Sequence, residues 1–333
     1  MTPPLSSSVP YLASPPRRRL LMSLALGCAL PRRAHAAEGP TAPFPPLPGF
    51  TQTRHANAPL AGRILGAGGA TLDPAQLVDR CAAASLCMLG EQHDHPDHHA
   101  LQAWLIEALA ARGRLAAVAL EMADAGTRFD GPRDAAEAAV RDALRWNAQG
   151  WPWAMYAPPV MAAVRAGATV AGVNLPDAAM KTAYADPRWD ASVPPAVRER
   201  IVQEVADSHC GLLPEAQVPN MARVQFARDD NMAAHALALA RPGQTVALLT
   251  GSVHADRSLG IALHLAAHAA PAGVDRPVQV FSLLLRGLAA DTPATVPRGY
   301  DAVWFTPATP PVDHCAQFKR QLKRRADGGR PAN

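Results

Sequence analysis

The chain has 333 residues, 49% of them hydrophobic and 18% charged, a balance that argues against disorder and a length that suits one large α/β domain with a substantial core. The net charge of +4 is carried by the ends, where Arg17, Arg18, Arg19, Arg32, Arg33, Lys319, Arg320, Lys323, Arg324 and Arg325 lie, so the middle is close to neutral. A nucleic-acid groove needs Lys and Arg gathered on one folded face, and that class is disfavoured.

Arg17-Arg18-Arg19, an apolar run from Leu20 to Leu30 and the small-x-small triplet Ala34-His35-Ala36 predict an export signal over residues 1–36, cleaved after Ala36. The run is shorter than the ~20 apolar residues that cross ~30 Å of hydrocarbon, so no permanent membrane helix is expected. Arg17 to Leu21 resembles a twin-arginine signal, and Ala25-Leu26-Gly27-Cys28 resembles a lipobox. The expected address is therefore periplasmic, with lipid anchoring through Cys28 as the alternative. Residues 37–58 hold Pro40, Pro43, Pro45, Pro46 and Pro48 without periodicity and read as an extended linker outside the core.

From Ala61 onward, almost wholly apolar runs alternate with helical patterns. Strands are expected at Ser85 to Glu91, Leu115 to Met122, Thr169 to Leu175, Gln244 to Thr250 and Pro277 to Leu285. Helices are expected at Pro96 to Arg112, Pro132 to Arg145, Pro158 to Ala166, Pro194 to Ser208, Val218 to Ala240 and Leu259 to Ala269. Continuous apolar strands separated by helices are what a mostly parallel sheet covered on both faces requires, so the fold class is α/β. The domain should span residues 59–310, with 176–240 a helical insertion or cap, and 311–333 a basic tail that frays. Among Cys81, Cys87, Cys210 and Cys315 there is no CxxC pair, which excludes a zinc ribbon and a thioredoxin motif. Cys210 with Cys315 is the pair in loop-like surroundings, and Cys87 reads as a small buried strand residue.

Gly90-Glu91-Gln92-His93-Asp94-His95-Pro96-Asp97-His98-His99 places four of the 12 histidines where a strand gives way to a helix. The strands from Leu115, Thr169 and Gln244 end in Glu121, Asn174 and Gly251-Ser252-Val253-His254. In a parallel sheet such ends share one rim, so Glu91, His93, Glu121, Asn174 and His254 should meet in one pocket. Two carboxylates and two imidazoles there suit a divalent transition metal such as Mn, Co or Zn, a general acid/base pair, or a polar ligand. The metal set would be Glu91, His93, Glu121 and His254.

Gly90-Glu91-Gln92-His93-Asp94, Pro96 to Gln102, Ala119-Leu120-Glu121-Met122, Arg228 to Ala233 and Gly251 to His254 resemble the motifs of the ChaN-type family of haem-binding uptake proteins. That family lies in a wider group with the Tiki-type metalloproteases and the erythromycin esterases. The resemblance runs from about Ser85 to His264. It implies an exported protein that holds haem for iron uptake, with an outer-membrane haem/iron receptor and a homodimer among the expected partners. Haem iron accepts His, Cys, Met or Tyr. Tyr156, within Trp151-Pro152-Trp153-Ala154-Met155-Tyr156, is the first-choice ligand, and His98, His99 and His209 are second choices. The competing reading is a metal-dependent hydrolase at the Gly-Glu-x-His site, although Gly251-Ser252-Val253-His254 is not a nucleophile elbow.

Overall fold

The computed structural model describes residues 44–269 and 277–326. The export signal, Cys28 and residues 327–333 lie outside that range. Ile64–Gly66 (β1) and Thr71–Leu72 (β2) pair antiparallel at one edge of the sheet. Asp73 then starts α1 (Pro74–Ala83): its carboxylate accepts from the Gln76 amide while the Gln76 side chain accepts from the Asp73 amide, a capping box. The chain continues through β3 (Leu86–Glu91), α2 (Pro96–Ala111), β4 (Leu115–Asp124), β5 (Arg128–Phe129), α3 (Glu137–Ala143), α4 (Trp153–Ala166) and β6 (Thr169–Asn174). Three cap helices follow, α5 (Asp177–Ala185), α6 (Pro195–Ser208) and α7 (Val218–Ala238). The last elements are β7 (Thr245–Gly251), α8 (Ser252–Ala255), α9 (Leu265–Ala269), β8 (Val280–Gly287), β9 (Ala302–Thr306) and α10 (His314–Ala326).

The nine strands form one mostly parallel sheet in the order β2-β1-β9-β8-β3-β7-β4-β6-β5. β3 is flanked by β7 and β8, both parallel to it, which explains why Leu86 to Leu89 are apolar on both faces. Alternation divides that run: Cys87 and Leu89 pack with α1, α2 and α4, while Leu86 and Met88 pack with Met232, Ala233, Ala236 and Leu237 of α7. The cap has its own small core of Val193, Ile201, Val205, Val218, Ala222 and the fully buried Phe226. Register aligns Glu91 with Gly251 and Leu120 with Leu249, so β3, β7, β4 and β6 end on one rim.

Several expectations need correction. The proline-rich linker is part of the fold from Phe44: Phe44 and Phe50 pack on the core, Trp104 donates to the Pro45 carbonyl at 2.9 Å, and the Thr51 and Gln52 amides donate to Asp97. Aromatic anchors and a buried carboxylate acceptor outweigh the extended bias of the prolines. The basic tail is not frayed through Ala326, because α10 is tied to the cap by the Cys210–Cys315 disulfide. The second expected helix shrinks to α3, and α4 begins at Trp153 with Pro158 and Pro159 inside it rather than at its start. Among the described residues no helix is long and apolar enough to cross a membrane.

Candidate functional site

The rim is built around two buried carboxylates. Glu91 closes β3, and Gly90 before it lets α8 come close, since a Cβ there would lie 2.8 Å from that of Ala255. Glu91 Oε1 accepts from the Tyr156 hydroxyl at 2.9 Å and from His93 Nδ1 at 2.8 Å; Oε2 accepts from Gln102 at 2.6 Å and has His99 Nδ1 at 3.3 Å. Burial alone would raise the Glu91 carboxyl, but the imidazoles of His93 and His99 outweigh it and hold it below its usual range. A carboxylate can only accept, so His93 Nδ1 carries the proton and its Nε2, which makes no hydrogen bond to the described residues, is the free nitrogen.

Glu121, on β4, is clamped by three donors from two elements, β7 and α7. Thr250 and the Gly251 amide donate to Oε2, both at 2.7 Å, and Arg228 of α7 donates to Oε1 at 2.6 Å. Burial raises this carboxyl too, yet His254, Arg228 and His93 together push it well below the usual range. Arg228 also donates to Asn174 Oδ1 at 3.0 Å, so the ends of β4 and β6 are joined through one guanidinium. His254 Nδ1 donates to the buried Asp229 at 2.6 Å, which turns its Nε2 toward Glu121 Oε1, 3.7 Å away.

Above these groups lies a cavity of about 440 Å³. Its lining includes Glu91, His93, Glu121, Arg228 and His254 from the rim, Ile201, Val205 and His209 from α6 and the residue after it, and Trp151 and Val253. His93 is the exposed member of the rim, its side chain 39% accessible and its ring edge-on to Trp151 at 4.8 Å. Gly251 makes room for it: a Cβ there would sit 2.9 Å from His93 Nε2. Burial lowers the His93 pKa, but Glu121 and Glu91 reverse the effect and raise it above the ordinary histidine value.

The family model for haem-binding uptake proteins of the Tiki superfamily, ChaN, matches residues 77–265, more than half of the chain. The chain belongs to this family. A solved structure described as cofacial heme binding to ChaN of Campylobacter jejuni is 21% identical, with 72% of this chain and 95% of that chain covered at a TM-score of 0.59, and it shares the fold. The type III effector HopBA1, 14% identical over 76% of this chain and 100% of its own at a TM-score of 0.36, is too distant to carry an argument. No curated protein matches the sequence.

Against this ChaN-family frame, Glu91, His93, Glu121 and His254 all line one cavity, and Asn174 joins them through Arg228. They do not support a metal centre. Among the described residues no three His, Cys, Asp or Glu side chains are grouped to hold an ion. The hydrolase reading loses its metal with that set.

The four expected haem ligands separate. Tyr156 is fully buried behind Glu91, does not line the cavity, and has its phenol pKa pushed far up by burial and by the Glu91 charge. The aromatics around Tyr156 pack on one another, and of them Trp151 reaches the cavity. His98 Nδ1 accepts from the Gln92 amide and its Nε2 faces Thr306, so it is a neutral core histidine, stacked on His95 at 3.8 Å and shifted well down by burial. His99 donates through Nε2 to the His93 carbonyl and braces Glu91 from behind. Its pKa is lowered by burial and raised more by Glu91, ending above the usual value. His209 alone of the four lines the cavity. The sequence reading gave Arg228, Asp229 and Gln102 no role at the site; the signal available was their place in the Arg228 to Ala233 and Pro96 to Gln102 motifs.

Proposed function

We propose that this protein is an exported haem carrier of a haem or iron uptake system, and that it holds haem in the rim cavity with His93 as the iron donor. One observation carries the assignment: His93 is pinned through Nδ1 by a buried carboxylate and keeps Nε2 free at a cavity whose walls include Trp151, Ile201, Val205 and Val253. A carboxylate on the distal nitrogen fixes the tautomer and ring plane and raises basicity, the usual support of a metal-bound imidazole. Apolar walls suit a porphyrin face, and Arg228 and Gln225 offer donors for carboxylate groups on a haem periphery. Haem, when bound, would supply the iron; the chain supplies orientation, exclusion of water and one nitrogen donor.

The export reading is supported by the Cys210–Cys315 disulfide, which fits an oxidising compartment. Titration of haemin into the mature protein and into His93→Ala tests the assignment. The wild type should develop a Soret band saturating at one haem per chain, and His93→Ala should bind at least tenfold more weakly, about 1.4 kcal/mol. Equal affinities would remove His93 from the iron.

A further inference from the structure

We infer that Cys81 and Cys87 close a second disulfide, buried between α1 and the central strand β3, when the chain folds in an oxidising compartment. Cys81 sits in the last turn of α1, and Cys87 is the second residue of β3, on the face of the sheet that packs with α1. Their sulfurs meet in that interface at 2.8 Å. This is the length of a hydrogen bond between nitrogen and oxygen, both smaller than sulfur, so the two side chains are already closer than thiols at ease. Closure to the about 2.05 Å of a covalent S–S bond needs a shift of only about 0.8 Å.

Proximity alone does not oxidise a thiol pair, and buried cysteines can serve as small apolar fillers. Two further observations favour the bond. Of the five cysteines, Cys28 lies in the expected export signal and Cys210 and Cys315 are already bonded, so closing Cys81 with Cys87 leaves no unpaired thiol in the domain. The Cys210–Cys315 bond also marks a compartment in which a dithiol is not kept reduced. The chemistry is thiol–disulfide exchange with a disulfide-bearing oxidant protein. One cysteine thiolate attacks a sulfur of the oxidant's disulfide to give a mixed disulfide, and the second cysteine then displaces the oxidant. The two cysteines lose two protons and two electrons, and the oxidant takes them up as its dithiol. Burial and the neighbouring Cys81 push the Cys87 thiol well above its usual range, so the thiolate that exchange requires is available before α1 closes on β3 and suppressed afterwards. The bond would fix α1 to the strand that ends in Glu91, four residues beyond Cys87.

The full chain, exported with its own signal and isolated from the periplasm, is denatured in guanidinium with iodoacetamide and no reductant, then digested with trypsin and weighed by mass spectrometry. No lysine or arginine lies between Arg80 and Arg112, so both cysteines fall in peptide 81–112, whereas Cys210 and Cys315 fall in peptides 201–223 and 299–319. Peptide 81–112 should be unalkylated and lighter than its dithiol form by two hydrogen atoms. Reduction before alkylation should place an alkyl group on each of its sulfurs. Peptides 201–223 and 299–319 should be found cross-linked. Alkylation of both sulfurs of peptide 81–112 without reductant overturns the inference, and so does a cross-link from Cys81 or Cys87 to Cys210 or Cys315. If export of the recombinant chain fails, the purified chain refolded with reduced and oxidised glutathione gives the same readout, with the same supporting and overturning results.

Discussion

Tyr156→Phe separates the two ways in which this chain could hold iron. The phenol ring is fully buried against Trp146, Trp151 and His99, and phenylalanine keeps that packing, so the change removes only the hydroxyl that donates to Glu91 Oε1 at 2.9 Å. A hydrogen bond to a charged acceptor contributes about 1.5–3 kcal/mol. Glu91 keeps His93 on the same oxygen and Gln102 on the other, so the expected loss is at the low end, about 1–2 kcal/mol. In urea unfolding the midpoint should fall at unchanged m-value. In haemin titration the spectrum should be unaltered and the affinity within about threefold of wild type, less than the 1.4 kcal/mol of a tenfold change. Loss of a phenolate charge-transfer band together with a tenfold or greater drop in affinity would refute this reasoning: Tyr156 would then have left Glu91 to bind iron.

Arg228→Ala strands the buried Glu121 charge with only Thr250 and the Gly251 amide, and should destabilise the fold by about 2–4 kcal/mol in the same unfolding assay. Gly251→Ala would drive a Cβ to 2.9 Å from His93 Nε2 and should weaken haemin binding at least tenfold; an unchanged affinity would show that this nitrogen is not the donor. Binding needs the neutral imidazole, and the His93 pKa lies above 6.5, so haemin affinity should climb with pH through that raised value. The stability supplied by His93 and His99 is full below about 6.5 and fades as pH rises through their raised values, whereas that supplied by Glu91 and Glu121 is full above about 4.5 and fades as pH falls through their lowered values. His98 works in the opposite sense to His93: its pKa is well below 6.5, so stability is lost as pH falls from 6.5, and an NMR titration should find it neutral where His93 is charged.

The central strands and the rim were legible because a parallel strand buried on both faces is an unbroken apolar run, and such runs end where polar residues must begin. That logic located Glu91, Glu121, Asn174 and His254 on one rim from the chain alone. Edge strands β1, β2 and β5 were invisible for the converse reason, being two or three residues long with no pattern to read. α1 had a readable start in Asp73-Pro74-Ala75-Gln76, a capping box that composition-level reading passed over. The histidine cluster was the least legible part. Type and proximity made His98, His99 and Tyr156 look like ligands, but whether an imidazole is free depends on what its other nitrogen meets. Those partners, the Gln92 amide, Thr306 and Glu91, are fixed only by tertiary packing.

The crystal structure of the haemin complex, with iron located by its anomalous scattering, tests the site most directly. The iron should lie in the rim cavity bonded to Nε2 of His93, with the Glu91 carboxylate still accepting from Nδ1. An iron peak outside that cavity, or one bonded to Tyr156 while His93 remains unligated, would contradict the assignment.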